Sequence, residues 1–146
     1  GIHFFNPVLQ MRLVELVRTL ATSDDTVNTA ANFGRSLGKE IVIVKDSPGF
    51  IVNLLSTPFL LDAIRALESG LATKEDMDTA VRLGLNHPMG PFALADLIGL
   101  DVCYHIATTL YEEFKDRKFA PPPLLKQMVI AGWLGRKTGR GFYEYK

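Results

Sequence analysis

The spacing of apolar residues changes near residue 46, and this change restricts the chain to two differently built parts. Before it, apolar runs of strand length at residues 2–5, 13–17 and 41–44 surround one helical stretch that follows Ser23. After it, apolar residues recur at helical spacing, and Pro or Gly separates successive stretches. The sequence therefore predicts a mainly α chain in which a β-β-α-β segment, residues 1–46, precedes an all-helical domain, residues 47–146.

The last strand-like run constrains the first part further. Ile41-Val42-Ile43-Val44 is β-branched throughout, which is typical of a strand that is buried on both faces of a sheet. Three short strands by themselves leave sheet edges unpaired and sheet faces uncovered. We therefore expect residues 1–46 to belong to a larger α/β layer.

Caps and breakers define the helices of the second part. A helical stretch is predicted to start at Pro48-Gly49, and Pro58 within it predicts a kink or a break, because proline lacks the backbone donor. Thr73 is a predicted N-cap, and Pro91 suits the first turn of a helix. These signals predict successive helices as far as Gly132, followed by a basic, glycine-rich tail.

Composition excludes several classes of function. Sixteen basic and sixteen acidic residues give a formal net charge of zero, so no global field would attract nucleic acid or an anionic membrane. No apolar run approaches the roughly 20 residues that a membrane helix needs. The single cysteine, Cys103, excludes an internal disulfide and a thiolate metal cluster, and His87 and His105 lack a metal-ligand pattern. We therefore expect no nucleic-acid, membrane or metal partner.

His3 and Glu15 are the strongest catalytic candidates that the residues themselves offer. They lie in two strand-like runs, and paired strands are about 4.8 Å apart, so the two side chains can meet. A carboxylate bound to one imidazole nitrogen fixes the tautomer and leaves the other nitrogen free to exchange a proton with substrate. The alternative is a buried histidine bonded to a backbone carbonyl, with Glu15 facing water. Spacing alone leaves both interpretations open.

Two further polar features each allow a functional and a structural interpretation. Asn53 stands near a helix start, where its amide could donate to a carbonyl or developing oxyanion, or could satisfy local backbone groups. The tail from Gly135 to Gly141 is not a phosphate-binding P-loop, because Arg136 stands where glycine must precede the Lys-Thr pair. That tail is expected to be either a mobile basic segment able to meet a phosphate or carboxylate, or a solvated turn.

Five motifs occur along the chain in order: His3–Pro7, Leu13–Val17, Asp46–Asn53, His87–Pro91 and Gly135–Tyr143. Together they closely resemble the L-3-hydroxyacyl-CoA dehydrogenases, especially the bacterial 3-hydroxybutyryl-CoA dehydrogenases. The resemblance covers essentially the whole chain. It implies the end of a Rossmann domain that binds NAD, followed by an all-α domain that supplies dimer contacts and half of the substrate cleft.

The resemblance also implies a role for individual residues. His3 matches the catalytic base of the family, Glu15 its carboxylate partner, and Asn53 the amide that contacts substrate near its carbonyl. Asn6 and Lys137 match positions near the cofactor. The implied reaction is NAD-dependent oxidation of a 3-hydroxyacyl-CoA, of short chain such as 3-hydroxybutyryl-CoA, to the 3-oxoacyl-CoA, with His3 taking the hydroxyl proton.

The implied partners are an acyl-CoA substrate and a second copy of the chain. Apolar stretches at Pro58–Leu67 and Phe92–Ile98 exceed what a small helical domain needs to cover itself, so we expect a homodimer through this domain. The implied location is the bacterial cytoplasm, with the mitochondrial matrix as the alternative.

Two departures from the family pattern qualify these expectations. Leu54 stands where the family usually has Arg, which puts any contact of that Arg in doubt. The glycine-rich G-x-G-x-x-G turn, which binds the dinucleotide, does not precede His3 in these residues. We therefore expect the chain to be the C-terminal half of the enzyme and to bind NAD weakly by itself. The alternative is a non-catalytic dimerisation and acyl-CoA-cleft module that retains the catalytic residues.

Overall fold

The computed structural model describes all 146 residues and divides them into two compact units, Gly1–Val52 and Asn53–Lys146. The first unit contains three strands and one helix: β1 (Ile2–Phe4), β2 (Leu13–Arg18), α1 (Asp24–Ser36) and β3 (Glu40–Lys45). The second unit is helical. The mainly α architecture with leading β-β-α-β elements is thereby confirmed.

The three strands form one sheet in the order β1-β2-β3. β1 runs antiparallel to β2, whereas β2 runs parallel to β3, with α1 as the crossover. Ser23 caps α1 as predicted, since its hydroxyl accepts a hydrogen bond from the Thr26 N–H at 3.2 Å. Gly34 faces Ile41 of β3, and a Cβ there would force the end of the Ile41 side chain to move.

The core of the first unit is small, and it lies between α1 and the sheet. Leu16, Val27 and Ala31 are buried there, with Ile41 packed against them. Within residues 1–146 only one face of β3 is covered: α1 packs on that face, and Val42 is 39% exposed and Ile43 55%. The uncovered face agrees with the expectation that these strands belong to a larger α/β layer, and the burial of β3 on both faces stays a prediction.

Five α-helices build the helical unit: α2 (Val52–Glu68), α3 (Lys74–Gly84), α4 (Pro91–Ile98), α5 (Leu100–Phe114) and α6 (Pro123–Ile130). Thr73 caps α3 and Pro91 occupies the first turn of α4, as predicted. One prediction for α2 is wrong, since the helix begins at Val52 rather than at Pro48-Gly49. Of the two alternatives predicted for Pro58, the break is excluded, because the helix continues through this residue.

The helical unit has one large apolar core. Helices α2, α4, α5 and α6 contribute buried residues to it, whereas α3 contributes none. Its fully buried members include Leu61, Ile64, Phe92, Leu100 and Leu125. Much of the Pro58–Leu67 stretch, from which self-association was expected, therefore covers this core instead. No single helix is long and apolar enough to span a membrane, although α4 and α5 reach that length and composition as a pair bent by 94°.

Candidate active site

The pairing of β1 with β2 brings His3 and Glu15 together. The two residues are direct partners in the antiparallel register, so their side chains emerge side by side on one face of the sheet. Nδ1 of His3 lies 2.8 Å from Oε2 of Glu15. The geometry thus excludes the alternative in which Glu15 faces water, since its side chain is only 1% exposed.

The second carboxylate oxygen of Glu15 holds the start of α2. Oε1 accepts hydrogen bonds from the backbone N–H groups of Ile51 at 3.0 Å and Val52 at 2.9 Å. The first N–H groups of a helix have no partner within the helix and favour negative charge. A residue 36 positions earlier in the chain therefore performs the capping that no local side chain of α2 supplies.

This arrangement determines which nitrogen of His3 carries the proton. An ionised carboxylate can only accept hydrogen bonds, so Nδ1 must be the donor and Nε2 keeps its lone pair. The His3 side chain is 29% exposed, so the imidazole is not sealed from solvent. Such a pair can take a proton from a hydroxyl group, and the carboxylate then stabilises the imidazolium that forms.

Two phenylalanine rings flank the imidazole. The ring centroid of Phe5 lies 4.6 Å from that of His3, and the ring centroid of Phe50 lies 5.3 Å away, both tilted by 55°. Phe50 has φ 48°, a left-handed conformation that bulky residues rarely adopt. Sequence reasoning singled out neither ring as part of the site, although both belong to the motifs that contain His3 and Asn53.

The remaining predicted site residues have separate surroundings. Asn6 is exposed just beyond β1, and the Asn6–Pro7 peptide bond is cis. Asn53 is the second residue of α2 and is half-buried. Lys137 lies in a single 3-10 turn, where its ammonium donates to Asp101 at 2.7 Å. This hydrogen bond holds the pKa of the Asp101 carboxyl below its usual value.

The helical unit contains a second buried carboxylate that sequence reasoning missed. Asp96 is 1% exposed and accepts hydrogen bonds from the N–H groups of Phe142 and Tyr143 and from the Tyr145 hydroxyl, each at 2.9 Å. A Cβ on Gly141 would collide with this carboxylate. The expectation of a mobile or solvated segment at residues 135–141 is therefore wrong at its end, where Gly141 is buried against this carboxylate. The exposed turn at Arg136–Thr138 agrees with the solvated alternative. The available signal was an aspartate within the apolar run of α4.

Asp78 of α3 extends this network to the start of α4. Its carboxylate accepts from the N–H groups of Phe92 at 2.8 Å and Ala93 at 3.0 Å, and from the Tyr143 hydroxyl at 3.0 Å. Burial raises the pKa of Tyr143, and the bond to Asp78 adds to the effect. Burial and the bond to Asp96 likewise raise the pKa of Tyr145 to about 12. Both phenols therefore remain hydrogen-bond donors.

No group of three or more His, Cys, Asp or Glu side chains is arranged to hold a metal ion. Cys103 is buried, and this burial raises the pKa of its thiol to about 12. A thiol so placed is a poor nucleophile and a poor ligand. The His3–Glu15 pair is therefore the arrangement in the first unit that is best suited to chemistry.

Two family models match consecutive parts of the chain. Residues 1–47 match the family described as "3-hydroxyacyl-CoA dehydrogenase, NAD binding domain", and residues 49–145 match "3-hydroxyacyl-CoA dehydrogenase, C-terminal domain". The chain belongs to the 3-hydroxyacyl-CoA dehydrogenase family. The resemblance inferred from the five motifs is thereby confirmed.

Relatives within this family are similar over the full chain. A 3-hydroxybutyryl-CoA dehydrogenase of Mycobacterium tuberculosis is 54% identical over 146 residues, which are 99% of this chain and 51% of the relative. One of Bradyrhizobium diazoefficiens is 50% identical, over 100% of this chain and 50% of the relative. The chain spans about half the length of the curated relatives it matches.

Solved structures agree with this assignment. The crystal structure of M. tuberculosis FadB2 superposes with a TM-score of 0.98 at 54% identity, over 100% of this chain and 52% of that one. That of (S)-3-hydroxybutyryl-CoA dehydrogenase PaaH1 from Ralstonia eutropha gives 0.96 at 51% identity, over 100% and 52%. The fold of this chain is therefore that of the corresponding part of both structures.

Proposed function

We propose that this chain supplies the catalytic base and the helical domain of an NAD-dependent 3-hydroxyacyl-CoA dehydrogenase. The observation that carries the proposal is the His3–Glu15 pair, with 2.8 Å between Nδ1 and Oε2 and the carboxylate buried. Family membership supplies the reaction class, and relatives named 3-hydroxybutyryl-CoA dehydrogenase support a short-chain 3-hydroxyacyl-CoA as substrate.

In the proposed mechanism His3 acts through Nε2. This nitrogen takes the proton of the 3-hydroxyl group, and the charge of the imidazolium is balanced by Glu15 across the Nδ1 bond. In the reverse direction the imidazolium returns the proton to the alkoxide. The Asn53 amide would donate to the substrate oxygen at C3, which carries negative charge in the transition state. NAD supplies the hydride acceptor when it is bound.

The described residues fit only a part of an NAD site. They include no glycine-rich turn between a strand and a helix, so the pyrophosphate would be held by residues outside positions 1–146. Asn6 is exposed and its amide offers both a donor and an acceptor for the cofactor. The Lys137 ammonium donates to Asp101 and offers further N–H donors, but no acceptor, for the cofactor. We propose that the cofactor is bound mainly outside this chain.

The proposed domain division is a remnant of the NAD-binding domain at residues 1–46 and a helical domain at residues 47–146.

We further propose a homodimer through the helical domain. Large apolar side chains that are exposed there support it: Leu55, Leu71, Leu83, Leu97 and Ile130. Sedimentation velocity of the chain over a hundredfold concentration range tests the dimer, and a monomer at every concentration would contradict it. For the location of the protein we propose the bacterial cytoplasm, with the mitochondrial matrix as the alternative.

A chimera tests the proposed activity. It joins this chain to the remaining segment of the M. tuberculosis relative, and NADH oxidation with acetoacetyl-CoA is measured for the chimera and for the chain alone. We expect turnover from the chimera and little from the chain. His3→Gln in the chimera should lower kcat by about 10²- to 10⁴-fold, the usual contribution of a general base.

His105→Gln is the matched control, because His105 is an exposed histidine on α5. Its kcat should equal that of the unchanged chimera. A folded chimera without turnover would contradict the proposal and favour a non-catalytic dimerisation and acyl-CoA-cleft module. Equal effects of the two histidine substitutions would reject His3 as the base.

A further inference from the structure

The turn before α2 holds an unusual backbone conformation. Gly49 has φ 79° and Phe50 has φ 48°, and the Phe50 N–H donates to the Ser47 carbonyl at 3.0 Å. Glycine adopts positive φ without strain, whereas a bulky aromatic residue does so only where its surroundings impose it. Strained residues of this kind cluster at functional sites, which directs attention to what Phe50 contacts.

One consequence of the turn concerns Glu15. Directly after Phe50, the N–H groups of Ile51 and Val52 both point at Oε1 of Glu15, at 3.0 and 2.9 Å. This pair of bonds fixes one carboxylate oxygen, so that Oε2 is directed at His3. The backbone conformation at Phe50 therefore orients the carboxylate that orients the imidazole.

A second consequence concerns the ring of Phe50. Its centroid lies 5.3 Å from the His3 centroid, and Phe5 lies 4.6 Å from the same imidazole. The imidazole is thus restrained by two rings and by the Glu15 bond at Nδ1, while its side chain stays 29% exposed. Phe50 belongs to neither apolar core cluster, so packing of a core does not account for its position.

We propose that Phe50 is a positioning residue for His3. Its ring limits rotation of the imidazole, and its left-handed backbone directs the two amides that fix Glu15. This inference deepens the proposed function, because positioning raises turnover only if His3 is the base. A misplacement of a catalytic group by about 1 Å can cost on the order of 100-fold in rate.

The first experiment needs no turnover. The three histidines of the ¹³C,¹⁵N-labelled chain are assigned with His3→Gln, and the ring signals of His3 are compared in Phe50→Leu, Phe50→Tyr and Phe33→Leu. Phe33→Leu is the matched control, because Phe33 is an exposed phenylalanine of α1. We expect Phe50→Leu to shift the His3 carbon-bound ring protons, because an adjacent aromatic ring current is lost. Phe50→Tyr should retain them.

The second experiment measures kcat and KM of the same variants in the chimera. Phe50→Leu should lower kcat by about 10- to 100-fold with KM for acetoacetyl-CoA nearly unchanged, and Phe50→Tyr should restore kcat. Phe50→Gly separates the two effects, because glycine keeps the left-handed turn without strain but lacks the ring. It should retain hydrogen-exchange protection at Ile51 and Val52 and still lose kcat.

The outcomes separate this inference from the proposed function. Unchanged His3 ring signals in Phe50→Leu would overturn the positioning role, whatever the activity. A different outcome is that Phe50→Leu shifts the His3 ring signals of the chain while the chimera that retains Phe50 shows no turnover. This pair of results would confirm the contact between the two rings and reject the proposed dehydrogenase activity. A fall in kcat that equals the loss of folded protein would reduce Phe50 to a structural residue.

Discussion

Replacing Glu15 with glutamine tests the central geometry, because it changes the charge and the donor pattern but hardly the shape. Glu15 accepts three hydrogen bonds, from Nδ1 of His3 and from the N–H groups of Ile51 and Val52. A carboxamide has one acceptor oxygen and one donor nitrogen. It can therefore serve the imidazole or the start of α2 in the native way, but not both.

Each orientation of the new amide has a distinct consequence. If its oxygen stays with the two backbone N–H groups, its NH₂ group faces Nδ1 of His3. Nδ1 must then accept, the ring proton moves to Nε2, and the lone pair needed by a base is lost. If the amide turns over, its NH₂ group faces two backbone donors, and the start of α2 is left unsatisfied.

The magnitude follows from the bond that is lost. A hydrogen bond to a charged group contributes about 1.5–3 kcal/mol. Since 1.36 kcal/mol corresponds to a factor of ten in rate, Glu15→Gln should lower kcat by about 10- to 150-fold. The free energy of unfolding should fall by about 1–3 kcal/mol, because a buried group loses its full complement of partners.

Two measurements check this prediction. NADH oxidation by the chimera gives kcat, and urea unfolding of the chain gives the free energy of unfolding. Glu40→Gln is the matched control: Glu40 lies on the neighbouring strand, is exposed and pairs with Arg12 at 2.9 Å. An exposed pair contributes at most about 1 kcal/mol, and the control kcat should be unchanged. If Glu15→Gln kept kcat within about threefold of the parent, the role assigned to the pair would be refuted.

Three further predictions concern the helical unit. Asp96→Asn should lower the free energy of unfolding by about 1–3 kcal/mol, because the amide leaves at least one of the three donors to this buried side chain unpaired. Urea unfolding checks this, with the exposed Asp62→Asn as the control. Burial and the bond to Asp96 raise the pKa of Tyr145 from its ordinary 10.0 to about 12, so the stability that this hydroxyl contributes is complete below about pH 10 and is lost as the pH rises through about 12. Tyr145→Phe should flatten the fall of Tm between these pH values, and an equally steep fall would contradict the assignment. Cys103, whose thiol pKa is raised to about 12, should react with a thiol reagent at pH 8 only after unfolding; rapid reaction of the folded chain would show that the thiol is accessible.

Local patterns predicted most of the secondary structure. Ser23 and Thr73 were recognised as N-caps and Pro91 as a first-turn residue, because capping and proline geometry depend on a few neighbouring residues. Pro58 illustrates the limit of such local signals: it lies inside α2 without ending it, and Leu61 and Ile64 directly after it are buried in the core.

Of the candidate site, the sequence predicted only the pairing of His3 with Glu15. The spacing of His3 and Glu15 suggested adjacent strands, and the register of β1 and β2 makes them direct partners. The sequence predicted neither the capping of α2 by Glu15 nor the hydrogen bonds that Asp96 accepts from residues 142–145. These bonds join residues 36 to 49 positions apart, and no local pattern encodes such a contact.

The sequence by itself determined that a β-β-α-β segment precedes helices, that the five motifs belong to one family, and that His3 and Glu15 are candidates for one site. These conclusions rest on periodicity, caps and motif order, which are properties of neighbouring residues. Only the tertiary structure showed which N–H groups donate hydrogen bonds to Glu15. It alone also showed that the ring of Phe50 lies next to His3. The reason is that the hydrogen bonds of a buried carboxylate, and the contacts that impose a strained backbone conformation, come from residues that are distant in the sequence and meet only on folding.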